Sequence, residues 1–80
     1  MNMDIEIYTT KTCAYCVRAK SLLKNIGLDF TEIDLSTDTD KAIEIAERSG
    51  QRTVPQIFID GRSIGGFTKL TELNATNKLN

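Results

Sequence analysis

Cys13-Ala14-Tyr15-Cys16 is the stretch of the chain best equipped for chemistry, because it places two sulfurs three positions apart. At the start of a helix that spacing stacks both side chains on one face, about one turn apart, within reach of a mutual bond. The chemistry that follows is thiol-disulfide exchange, in which a thiolate attacks a disulfide sulfur and a mixed disulfide is then resolved. Other uses of the pair fit less well. A structural zinc ion normally takes four cysteine or histidine ligands, and the sequence has two cysteines and no histidine. A purely structural bridge over so short a loop would constrain the unfolded chain little. Hydrolysis through a Cys-His pair lacks its base. Of the two sulfurs, Cys13 is the expected nucleophile. It faces free helix amides and the positive end of the helix dipole, with Lys11 nearby, and both favour thiolate over thiol. Cys16, one turn further in, loses that help and becomes the resolving thiol.

Such a pair needs a strand before it and a helix after it. Ile5, Ile7 and Tyr8 read as a short first strand, followed by a polar loop over Thr9 to Thr12. From Ala14 onward, Ala19, Leu22, Leu23 and Ile26 recur at helical spacing, and Gly27 closes the helix. A second strand over about Asp29 to Asp34 would lie parallel to the first in a right-handed unit. Ser36 to Asp40 is rich in capping residues and opens a second helix that Gly50 ends. Gln56 to Ile59 reads as a third strand buried on both faces, and Asp60-Gly61 as a tight turn into a fourth strand, Arg62 to Ile64, ended by Gly65-Gly66. Phe67, Leu70 and Leu73 mark a third helix. The expectation is one α/β domain over residues 1–80, with a four-stranded mixed sheet flanked by about three helices.

Pro55, the single proline, stands directly before the third strand, where it is either a plain strand-entry proline or a cis bond shaping a backbone edge. Gly65-Gly66 is either an ordinary turn or a close backbone approach at a helix start. Ten basic residues against eleven acidic ones, with no large basic tract, argue against nucleic acid as a partner. No stretch is apolar and long enough to span a bilayer, and the first residues lack a leader pattern. A cytoplasmic protein without a membrane partner is expected, a setting in which thiols stay reduced and a close cysteine pair is catalytic rather than structural.

Tyr8 to Cys16, the run Thr53-Val54-Pro55-Gln56-Ile57-Phe58-Ile59-Asp60-Gly61 and Ile64-Gly65-Gly66 together resemble the glutaredoxins, in order and over nearly the whole chain. The resemblance implies a thioredoxin-like fold, a cis Pro55, and glutathione as cosubstrate in a groove between the Cys13 helix start and the backbone of Val54. Thr53, Val54 and Pro55 would form one wall, with Val54 pairing with the tripeptide main chain as an added strand. Tyr15 would flank the groove, though by itself it reads equally as an exposed helix aromatic. Gly66, Phe67 and Thr68 would receive the glutamyl carboxylate at a helix N-terminus. Glutathione and disulfide-containing or glutathionylated proteins are the implied partners, met by a monomer. Three positions depart from the family pattern. Ala14 stands where proline is usual, Lys11 is shifted by one from the groove lysine's place at Thr10, and Thr68 replaces an aspartate that meets the glutathione ammonium. The last two imply weaker glutathione binding. The first leaves room for a different function, a [2Fe-2S] cluster held between two monomers by their first cysteines and two glutathione thiolates. A thioredoxin-like protein served by a flavin reductase is the other alternative, but the Trp-Cys-Gly-Pro-Cys signature is missing.

Overall fold

The computed structural model describes residues 3–76. Seven elements follow one another: β1 (Ile5–Thr9), α1 (Ala14–Asn25), β2 (Thr31–Asp34), α2 (Thr39–Ser49), β3 (Gln56–Ile59), β4 (Arg62–Gly65) and α3 (Phe67–Ala75). They build a single sheet in the order β2-β1-β3-β4. β1 and β2 run parallel, as a strand-helix-strand unit requires, and the other two pairings are antiparallel.

Period-two alternation sends each central strand's side chains to two separate cores. Ile5 and Ile7 of β1 and Ile57 of β3 pack with Ala19 and Leu23 of α1 and Leu70 of α3 on one face. On the other face Tyr8 and Phe58 pack with Leu35 and with Ile45 of α2. The Tyr8 and Phe58 rings meet edge to face, with centroids 5.5 Å apart, and the Arg48 guanidinium lies 4.5 Å above the Phe58 ring. The unbroken Ile57-Phe58-Ile59 run is thereby explained, since β3 is a central strand covered on both sides. Each fully buried isoleucine here contributes about 1.5–3 kcal/mol of transfer free energy, and the central strands β1 and β3 carry three of them, Ile5, Ile7 and Ile57, beside the segments that bear the site.

Several boundaries differ from the sequence reading. β2 starts at Thr31, opposite Glu6, and not at Asp29; Phe30 instead turns toward the α1 and α3 core. β4 extends through Gly65, which pairs with Ile57, while Ser63 pairs with Phe58, so Ile64 occupies a bulge. Asp60-Gly61 forms the expected tight turn, with φ of 52° and 83°; the second is a left-handed geometry that glycine adopts without Cβ strain. The turn is pinned from outside as well, because Asp60 and Asp4 exchange two hydrogen bonds at 2.8 and 2.9 Å. α2 is capped by Asp38, whose carboxylate accepts the Lys41 amide proton at 3.0 Å. At the base of α1 the Glu32 carboxylate accepts from both Lys20 and Thr9, at 2.9 and 2.8 Å, tying α1, β1 and β2 together. The Lys20 ammonium, then the Thr9 hydroxyl, hold that carboxyl below its usual range.

Candidate active site

β1 ends at Thr9, and four residues later Cys13 occupies the N-cap of α1 in extended conformation. Its sulfur takes the role an N-cap oxygen usually has, accepting the Cys16 amide proton at 3.1 Å. As a thiol it donates to the Val54 carbonyl at 3.6 Å, across 41 positions of sequence. Cys13 is partly exposed, whereas Cys16 is 1% exposed and packs inside the first turn. Burial, then the hydrogen bond with Cys13, push the Cys16 thiol up to about 12, while a contact with the Thr10 backbone pulls the other way. Position thus distinguishes the two sulfurs: one is accessible and accepts a helix amide proton, and the other is sheltered and keeps its proton.

The Val54-Pro55 peptide is cis, and it carries the backbone to the start of β3 beside Cys13. Pro55 also meets the start of α3. A Cβ added at Gly66 would lie 3.3 Å from the Pro55 carbonyl oxygen, so these two backbone segments touch in a way that a side chain at 66 would disturb. α3 begins at Phe67 with Gly66 as its N-cap and no side-chain cap, which leaves its first amides available to an anion. The Tyr15 ring, 55% exposed, leans on Phe67 with centroids 5.8 Å apart and carries Arg18 at 5.2 Å.

Between these parts lies an open cleft of about 180 Å³. Tyr15 forms one wall, Thr53, Val54 and Pro55 the floor edge, and Gly66, Phe67 and Thr68 the far end. Seven sequence-predicted residues thus converge on one concavity next to Cys13. Lys11 does not line it; its backbone amide is bonded to Ser36, and its side chain is exposed. On the other side of Val54 a second recess of about 160 Å³ is lined by Thr10, Arg52 and the buried Gln56, among others. Arg52 carries no motif signal in the sequence, Gln56 enters only as one position of the Thr53 to Gly61 run, and the turn of the 51–55 loop brings the two together here. A broader depression of about 700 Å³ lies on the outer side of α2, around Ala42, Ile43 and Ala46. It is broader than the cleft beside Cys13 yet holds no cysteine, so chemistry and not size marks the site.

A nucleophilic sulfur at a helix start, a sheltered partner one turn on, a cis-proline backbone edge and an uncapped helix end define a dithiol redox protein of thioredoxin-like fold. The glutaredoxin family model matches residues 5–64. Glutaredoxin 3 of Escherichia coli K12 is 47% identical over 76 residues, covering 95% of this chain and 92% of that protein. Among solved structures, a buckwheat glutaredoxin-glutathione complex superposes with a TM-score of 0.87 at 31% identity, over 96% of this chain and 73% of the other. A Brucella melitensis glutaredoxin does so with 0.84 at 46% identity, over 95% and 83%. The chain belongs to the glutaredoxin family, whose members are thiol-disulfide oxidoreductases with glutathione as cosubstrate.

Proposed function

We propose that this glutaredoxin acts as a monomer in the cytoplasm, reducing glutathione mixed disulfides and protein disulfides through Cys13, with Cys16 as the resolving thiol. The observation that carries the reading is the placement of the Cys13 sulfur, bonded to both the Cys16 amide and the Val54 carbonyl at the mouth of the cleft. For a glutathionylated protein, Cys13 thiolate attacks the glutathione sulfur, and the protein thiolate leaves and takes up a proton. A second glutathione thiolate then attacks the Cys13-glutathione disulfide, releasing glutathione disulfide and restoring Cys13. For a protein disulfide, Cys16 thiolate instead attacks the Cys13 sulfur of the mixed disulfide, releasing the second protein thiolate and leaving a Cys13-Cys16 disulfide that two glutathione molecules reduce, releasing glutathione disulfide. Two of the influences that hold its proton, the hydrogen bond and the charge of Cys13, disappear once Cys13 is tied up in a mixed disulfide. The first attack thus eases ionisation of the resolving thiol, while burial, the largest influence on it, still favours the thiol.

Within the cleft, the Val54 backbone would pair with the tripeptide main chain, and the uncapped start of α3 would take the glutamyl carboxylate. The buckwheat relative of the same fold is a glutathione complex, which supports glutathione as the ligand of this fold. Lys11 lies outside the lining, so the glycyl carboxylate falls to the recess where Arg52 provides the cation. The cluster-carrier reading has no specific observation in its favour, as Ala14 by itself brings no additional ligand to Cys13. The deciding experiment reduces a glutathionylated peptide with glutathione as sole reductant and measures the glutathione disulfide formed. Turnover that Cys13→Ser abolishes is the expected result, and turnover dependent on Cys16 but not on Cys13 would overturn the assignment.

A further inference from the structure

Gln56 is a polar side chain in a place that does not call for one. It opens the central strand β3, is 1% exposed, and is followed directly by the apolar Ile57 and Phe58. An apolar side chain of the same shape would fit such a position at little cost, because burying a carboxamide is unfavourable unless its hydrogen bonds are made. Here they are made unevenly. Nε2 donates to the Thr53 carbonyl at 2.8 Å, to the Thr53 hydroxyl at 3.2 Å and to the Gln51 side-chain oxygen at 3.1 Å. Oε1 is buried with no partner. What the residue contributes is therefore its donor end, and that end is directed wholly at the loop before it.

That loop has little else to hold its backbone. Among the described residues, no backbone-to-backbone hydrogen bond outside the helices and strands engages residues 51–55. Ser49 secures Gln51 through two bonds, at 2.9 and 3.2 Å, at the far end of the loop. The Val54 side chain packs against the Tyr8 and Phe58 core, which fixes where the residue sits but not how the peptide planes on either side of it are turned. The orientation of the Thr53-Val54 peptide rests on the Gln56 carboxamide, and the next carbonyl along is the one that meets the Cys13 sulfur.

We infer that Gln56 is a positioning residue, holding the Thr53-Val54 backbone in the orientation that a peptide substrate pairs with beside Cys13. The inference rests on the reading of Val54 as the substrate-binding edge. Gln56 is 1% exposed and commits its donors to the loop, so its removal acts through the backbone it holds, on binding and not on the sulfur chemistry.

The test compares Gln56→Met, which keeps length and burial without donors, with Gln51→Ala, which leaves both Thr53 bonds in place. Backbone 15N order parameters for residues 51–54 report the loop directly, and steady-state kinetics with a glutathionylated peptide report the site. For Gln56→Met the expected result is lower order at Thr53 and Val54, unchanged order in β3, and a KM raised roughly fivefold to tenfold with kcat within about twofold. Gln51→Ala should keep the parent protein's order at Thr53 and Val54, because both Thr53 bonds remain. Gln56→Glu serves as a second variant, because protonation returns a donor to the side chain: its KM relative to the parent should rise with pH and recover as pH falls. An unchanged loop in Gln56→Met, or a defect in Gln56→Glu that ignores pH, overturns the positioning role. A loosened loop with unchanged KM overturns instead the reading of Val54 as the substrate edge, and loss of glutathione turnover in the parent protein would overturn the proposed function independently of both.

Discussion

The N-termini of α2 and α3 show how one structural problem is solved in two ways. Each helix begins with amides that have no partner inside the helix. At α2 the Asp38 carboxylate accepts the Lys41 amide proton, and Asp40 adds negative charge in the first turn. At α3 Gly66 has no side chain to offer and there is no acid in the first turn. α1 lies between these cases, since its cap is the Cys13 sulfur, a group that leaves the role whenever it reacts. The two helix ends that border the Val54-Pro55 edge are the two whose amides stay open to a ligand or to a changing sulfur. Where the end is only structural, a carboxylate closes it.

The largest contrast this comparison predicts is between the sulfur at the helix end and the one a turn inside. Burial and the Cys13 hydrogen bond push the Cys16 thiol up to about 12, so it stays protonated at pH 8. Burial shields it further. Brief alkylation of the reduced native protein should therefore label Cys13 alone, and labelling of Cys16 should rise about tenfold per pH unit toward 12. Peptide mapping by mass spectrometry checks this, and equal labelling of both sulfurs at pH 8 would erase the distinction.

Removing the sulfur that caps α1 comes next. Cys13→Ser should lower deglutathionylation by roughly two orders of magnitude or more, because a hydroxyl is a far poorer nucleophile. Cys16→Ser should retain most of that activity while losing reduction of protein disulfides. Both are read from initial rates on the two substrate types.

Charge at the open end of α3 should tune affinity more gently. Thr68→Asp places a carboxylate at the far end of the cleft, where it can meet the glutathione ammonium, and the apparent KM for glutathione should fall by up to about tenfold. An unchanged KM would mean that the tripeptide lies the other way round. The smallest functional effect belongs to the closed end. Asp38→Ala should cost about 1 kcal/mol of stability, seen as a drop of about 4–8 °C in Tm, with kcat/KM unaltered. A loss of activity there would show that the capped and uncapped ends are not separate in purpose.

Much of this protein is decided locally, and those parts were legible in the residues themselves. The Cys13-Cys16 spacing needs only the pitch of a helix, the Asp60-Gly61 turn only the dihedral preferences of two residues, and the double burial of β3 shows in the run Ile57-Phe58-Ile59. The resemblance of the Thr53-Val54-Pro55 and Gly65-Gly66 stretches to a known family added the cleft residues, although nothing local relates Val54 to a sulfur 41 positions away. The tertiary structure decided the rest. β2 begins where β1 offers a partner, at Thr31, since a strand edge exists only through its neighbour. Lys11 stays outside the cleft while Arg52 enters the adjoining recess, a matter of which way two loops turn. Gln56 lies within the run that carries the family resemblance, but nothing local shows where its carboxamide bonds. Its hold on the loop comes from burial in a sheet whose two sides close only when all three helices are in place, and burial is a property of the assembled fold rather than of any stretch of sequence.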